Sequence, residues 1–166
     1  MSKAYNLVNA DLLKKAFQRI QFPDQLINIL LNLLSDRSNK VITNFGLTES
    51  YLVKNGIDQE ETITPLLWRI YYDPLIHQIA RLHSSYTMQI SWLQDLKFKH
   101  IKSTQVSTSV LAYMDDTIWI AYTKNELEQI INTASSFFQI ANIQVNSLKS
   151  ILITNSSNTT PINFIN

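Results

Sequence analysis

An α+β fold is what this chain predicts, and three observations carry that reading. Short runs rich in β-branched and aromatic residues alternate with longer stretches of helical spacing. Two of the short runs, residues 110–112 and 117–121, are joined by Tyr113, Met114, Asp115 and Asp116, and read as a hairpin with an acidic tip. Strands interleaved with crossover helices suggest a sheet covered on one face by helices.

In chain order, residues 11–20 put Leu13, Phe17 and Ile20 on one face and read as a helix. Gln21-Phe22-Pro23 breaks it, and Pro23 suits the first position of the next helix, where an amide would have no partner anyway. That helix runs to about residue 35. Gln25, Asn28 and Asn32 leave one narrow polar stripe on it, so most of its surface is expected to be buried. Residues 40–43 and 51–54 read as short strands about a turn at Gly46. A long helix is expected after Thr64-Pro65, with Leu67, Tyr71, Leu75, Ile79 and Leu82 on its apolar face, Arg69, Asp73, His77 and Arg81 opposite, and a kink at Pro74. Tyr86 to Trp92 alternates weakly like a strand, followed by positive charge at Lys97, Lys99, His100 and Lys102. After the acidic hairpin, Thr123 and Glu126 have the spacing of a capping box, opening a helix whose core face is Leu127, Ile130, Ala134, Phe137, Phe138 and Ala141. Residues 150–153 read as a last short strand. One domain over 1–153 is expected, and the Asn-, Ser- and Thr-rich residues 154–166 predict a disordered polar tail.

Composition bounds the function without choosing it. The 166 residues are 45% hydrophobic, which suits a globular core and not a disordered chain. A net charge of +1 announces no basic field for nucleic acid. The absence of cysteine excludes disulfides, thiolate zinc and a thiol nucleophile. His77, His83 and His100 have no partner at ligand spacing, so zinc is not expected. No apolar run approaches a membrane span, since Asn28 and Asn32 interrupt the most apolar stretch. With no secretory signal pattern at the N-terminus, an intracellular setting is expected, nuclear or cytoplasmic.

The acidic tip carries the chemistry. Adjacent carboxylates repel, and a cation relieves that repulsion. Oxygen-only ligation suits a hard ion such as magnesium. A plain acidic hairpin turn is the alternative at this segment taken alone.

The stretch Leu111-Ala112-Tyr113-Met114-Asp115-Asp116-Thr117 resembles the metal-binding box of reverse transcriptases. Asn55-Gly56-Ile57-Asp58-Gln59-Glu60-Glu61-Thr62-Ile63-Thr64-Pro65-Leu66-Leu67 resembles the loop-to-helix box that lies under template and incoming nucleotide in that family. Ile143-Gln144-Val145-Asn146-Ser147-Leu148-Lys149-Ser150 resembles its lysine-bearing box, and Met1-Ser2-Lys3-Ala4-Tyr5-Asn6-Leu7-Val8 the tail of its first carboxylate box. The pattern is most similar to polymerases of non-LTR (LINE-type) retroelements. The resemblance implies a polymerase palm, an antiparallel sheet covered on one face by helices, and one that is expected to be incomplete, without fingers and thumb. It implies RNA-templated DNA synthesis with magnesium, or manganese in its place, and an RNA template, a DNA primer and dNTPs as partners.

The same resemblance implies the site. Asp115 and Asp116 would ligate the metal, Asp115 the more directly, with Tyr113 and Met114 completing the box beside the substrate. Tyr5 would be the bulky ring that excludes a ribose 2′-hydroxyl; its alternative is a packed tyrosine at a helix entry. Gln59 would lie near the incoming nucleotide. Lys149 would protonate the pyrophosphate leaving group; its alternative is a solvated surface lysine. Arg69 and Arg81 could reach template backbone but fit a solvated helix face better. Asn6 stands where many relatives carry Asp, and Glu60 where the family has glycine, which places two carboxylates, Glu60 and Glu61, beside a triphosphate. The family's third metal carboxylate falls five residues before Tyr5, immediately before Met1, so a truncated copy or a frame opened at an internal methionine is expected. The rival readings are a catalytically dead retroelement remnant and a protein-interaction module on a palm scaffold.

Overall fold

A computed structural model of the chain describes residues 4–53, 56–58, 61–82, 85–95, 100–155 and 162. Helix and strand are mixed, as an α+β fold requires. The chain divides into two compact units, Met1–Pro74 with Phe137–Asn155, and Leu75–Ser136 with Ser156–Asn166.

In the first unit a 3-10 turn, Ala4–Leu7, leads into α1 (Ala10–Arg19). Asn9 caps that helix: its side-chain oxygen accepts from the amides of Asp11 (2.9 Å) and Leu12 (3.1 Å), two donors that the helix cannot satisfy itself. Leu13, Ala16 and Phe17 are buried, while Ile20, expected on the same face, falls just past the helix end and is exposed. Pro23 takes the N-cap of α2 (Asp24–Leu34), one position earlier than the sequence suggests. The expected burial of α2 is not found. It packs against α1 and buries Ile27, but Leu26, Ile29 and Leu33 are exposed, Leu33 to 66%. One partner helix covers one stripe, and a surface that is apolar nearly all round needs more than one neighbour.

The next strands form one interrupted antiparallel hairpin. β1 (Arg37–Asn39) pairs with β4 (Tyr51–Val53), and inside them β2 (Ile42–Thr43) pairs with β3 (Gly46–Leu47). The turn residues are Asn44 and Phe45, just before the expected Gly46, which opens β3 with φ +115° and whose carbonyl accepts from the Thr43 hydroxyl at 2.7 Å. The core of this unit is aromatic. The helix α3 (Thr64–Ala80) continues through Pro74, and its first part buries Leu67, Trp68, Tyr71 and Tyr72. The end of α4 (Lys124–Ile140) adds Phe137 and Phe138: Tyr71 meets Phe137 edge-on at 6.2 Å, and Tyr72 lies over Phe138 at 6.4 Å. Asp73, expected on the polar face of α3, forms an ion pair with Arg19.

Burial pushes the Tyr71 phenol above its ordinary value of 10.0, with the backbone of Asn9 acting in the opposite sense. The folded state therefore holds this proton more tightly than the unfolded chain does. Its contribution to stability is complete below pH 10 and is lost as pH rises through the folded value. Tyr71→Phe should leave stability at pH 7 nearly unchanged and flatten the decline above pH 10. Denaturant midpoints measured from pH 7 to 11 in both proteins check this; parallel declines would place the alkaline sensitivity elsewhere.

In the second unit the rest of α3 buries Leu75 and Ile79. A long antiparallel ladder follows, β5 (Tyr86–Asp95) with β6 (His100–Thr108). Only the first of these strands is legible in the sequence. Ser, Thr, Gln and Lys fill β6 and it is exposed almost throughout, so it shows no apolar alternation. β7 (Val110–Tyr113) and β8 (Asp116–Trp119) form the acidic hairpin. The Thr123–Glu126 box opens α4 as expected. The Glu126 carboxylate accepts from the amides of Thr123 (3.1 Å) and Tyr122 (3.0 Å), and the Thr123 hydroxyl accepts from the Glu126 amide at 3.3 Å. Thr123→Ala and Glu126→Ala should each lower stability by about 1 kcal/mol, and the double variant by less than the sum because the two bonds are reciprocal. Urea unfolding of the three variants measures this.

Two expectations about sheets need correction. Among the described residues the strands form four separate two-stranded sheets, not one sheet under a layer of helices. Strands of two to four residues, exposed on both faces as β2 and β3 are, lack the continuous apolar face that aligns strands into one sheet. The expected strand at 150–153 is absent. Those residues are exposed and irregular, after a 3-10 turn at Ser147–Lys149. Most of the expected disordered tail lies outside the described residues.

Candidate functional site

The acidic tip is a two-residue turn. Tyr113 pairs with Asp116, leaving Met114 and Asp115 as the loop. Met114 has φ +54° and is the one loop residue with positive φ. That is the pattern of a turn whose first position ordinarily takes glycine, because a side chain there crowds its own backbone. Holding a methionine in it costs on the order of 1 kcal/mol, stored where the chain presents its two carboxylates. Tyr113 is 81% exposed, Asp116 is exposed and Asp115 is half-buried.

A second constellation lies in the first unit and joins two segments far apart in sequence. The Ile57 amide donates to the Tyr5 carbonyl at 2.9 Å, and the Gly56 amide to the Val8 carbonyl at 3.0 Å. The approach is so close that a Cβ on Gly56 would stand 2.7 Å from the Asn6 Cα, and Gly56 has φ +96°. The half-buried Tyr5 ring packs on Trp68 of α3 with centroids 5.1 Å apart, and its hydroxyl oxygen is buried. The Thr64 hydroxyl at the start of α3 donates to the Asp58 carbonyl. Arg37 ties these pieces together. Its guanidinium pairs with the Asp58 carboxylate, donates to the Gly56 carbonyl at 2.6 Å and donates to the Leu34 carbonyl at 3.2 Å. Sequence reasoning missed Arg37 and Asp58, because nothing local marks two residues 21 positions apart as partners.

The expected site residues are therefore distributed. Tyr113, Met114, Asp115 and Asp116 share one hairpin in the second unit. Tyr5 is in the first unit beside the Gly56–Asp58 loop, and Lys149 is exposed on the 3-10 turn of the same unit. Gln59 and Glu60 lie outside the described residues. Two adjacent carboxylates are a donor set that fits a hard divalent ion, with water and phosphate oxygens needed to complete its shell. Among the described residues no group of three or more His, Cys, Asp and Glu side chains could hold such an ion without that help. No described helix is long and apolar enough to cross a membrane.

Comparison with curated proteins gives no match. The sequence model of the family described as reverse transcriptase (RNA-dependent DNA polymerase) matches residues 1–165. That span takes in the acidic hairpin, the Tyr5–Ile57 contact and the lysine turn alike, and the chain belongs to the reverse transcriptase family.

Proposed function

We propose that this chain is palm sequence of a non-LTR retroelement reverse transcriptase, and that Asp115 and Asp116 hold the magnesium used in RNA-templated DNA synthesis. The observation that carries the reading is the tip itself: a strained two-residue turn at which two consecutive aspartates, Asp115 in the loop and Asp116 opening β8, follow an exposed tyrosine. A divalent ion, if held there by Asp115 and Asp116, would supply positive charge to the phosphate chemistry of nucleotidyl transfer. Within the first unit, membership of the family would give Tyr5, packed on Trp68, the role of bounding the sugar, and Lys149 that of proton donor to the departing pyrophosphate.

Formation of a ternary complex tests this without depending on turnover. A fluorescent dNTP should bind the full chain more tightly when an RNA–DNA primer–template and magnesium are both present than with either alone. Changing Asp115 and Asp116 together to Asn should remove the magnesium dependence. Binding indifferent to template and metal would sink the reading. The exposed Leu26, Ile29 and Leu33 of α2 favour the second reading, an interaction module on a polymerase scaffold, which that outcome would leave standing.

A further inference from the structure

We propose that Arg37 is a positioning residue for the tyrosine that selects the sugar. This rests on the reading of Tyr5 as that selector. Tyr5 is held from two sides, by Trp68 against its ring and by the Ile57 amide on its carbonyl. The second support is only as firm as the Gly56–Asp58 loop. Arg37 holds that loop at both ends, taking the Gly56 carbonyl with one nitrogen and the Asp58 carboxylate with another, while its third nitrogen is anchored on the last turn of α2 through Leu34. The Gly56 peptide is thus gripped on both sides, its carbonyl by Arg37 and its amide by Val8.

The arginine side chain is only 14% exposed, so its charge is committed to this pair. Three donors in a planar fork match three acceptors on two segments, the end of α2 and the Gly56–Asp58 loop, which a lysine cannot reproduce. Pairing also neutralises Asp58, a carboxylate in the loop that the reading places beside a triphosphate. Loss of the fork frees the loop, and Tyr5 loses the backbone contact that fixes how closely its ring approaches the sugar.

The test is sugar discrimination, because a ratio of affinities does not respond to the fraction of folded protein. Binding of dGTP and of GTP is measured by displacement of a fluorescent dGTP analogue from the full chain, with magnesium and an RNA–DNA primer–template. Arg37→Ala should lower the dGTP:GTP preference on the order of tenfold, with Arg37→Lys between it and the wild type. Asp58→Asn, a milder change, should move the ratio in the same direction. Equal weakening for both nucleotides at an unchanged ratio would overturn the proposal and reduce Arg37 to a structural residue. A preference that survives Tyr5→Ala would overturn the selector reading itself, and the role of Arg37 with it.

Discussion

Gly56→Ala is expected to destabilise the first unit by about 3 kcal/mol, from two sources that act together. One is conformational: φ of +96° is a region that side-chain-bearing residues rarely enter. The other is steric. The added carbon would meet the Asn6 backbone at 2.7 Å from Cα and 2.9 Å from the carbonyl carbon, and backbone cannot swing aside as a flexible side chain could. Relaxing the clash means lengthening the hydrogen bonds from Gly56 to Val8 and from Ile57 to Tyr5. Gly46 is the natural control. It also has positive φ, +115°, but nothing lies within 4 Å of its Cβ position, so Gly46→Ala should show the conformational part alone, about 1 kcal/mol. Urea unfolding of both variants against the wild type separates the two contributions. Equal losses at the two glycines would mean that the Tyr5–Asn6 backbone yields, and that the close approach carries no constraint.

What could be read from the sequence is what local chemistry determines. The Thr123–Glu126 box forms as spaced, because its bonds lie within one turn. The hairpin at Asp115–Asp116 forms because β-branched and aromatic residues flank a short acidic turn. The helix after Thr64-Pro65 buries Leu67, Tyr71, Leu75 and Ile79 of the face that its periodicity marks, while Leu82 lies beyond its end and is only half-buried. What escaped depends on partners that no local pattern names. The apolar periphery of α2 reads as core, yet whether Leu33 is covered depends on how many elements reach it. β6 is held by its ladder to β5 and not by an apolar face, so composition hides it. Arg37 sits in a polar stretch where a solvated arginine is the ordinary expectation, and two of its three acceptors come from the distant Gly56–Asp58 loop.

Asp115→Asn should weaken manganese binding to the full chain by at least about tenfold and leave its metal-free stability unchanged or slightly higher. The two halves of that expectation have one cause. Asp115 and Asp116 are consecutive carboxylate residues. Without a cation their repulsion adds to the strain of Met114 at φ +54°. Asn keeps the shape and hydrogen-bonding size of the side chain while removing one charge, so the turn need not change. The ion, however, loses a charged oxygen ligand from a set in which the hairpin supplies only two. Asp116→Asn should weaken binding less, since the half-buried Asp115 is the better-fixed of the two and Asp116 is exposed. Paramagnetic broadening of the Tyr113 to Thr117 amide signals on manganese titration reads affinity and location together, and melting in chelator reads stability. Magnesium should raise the melting temperature of the wild type and not of the Asp115 variant, since only binding to the folded state shifts that equilibrium. If the variant loses stability in chelator as it loses metal, Asp115 is holding the turn together and the metal reading falls. If it binds manganese as the wild type does, the ion sits elsewhere, and the hairpin is no more than an acidic turn.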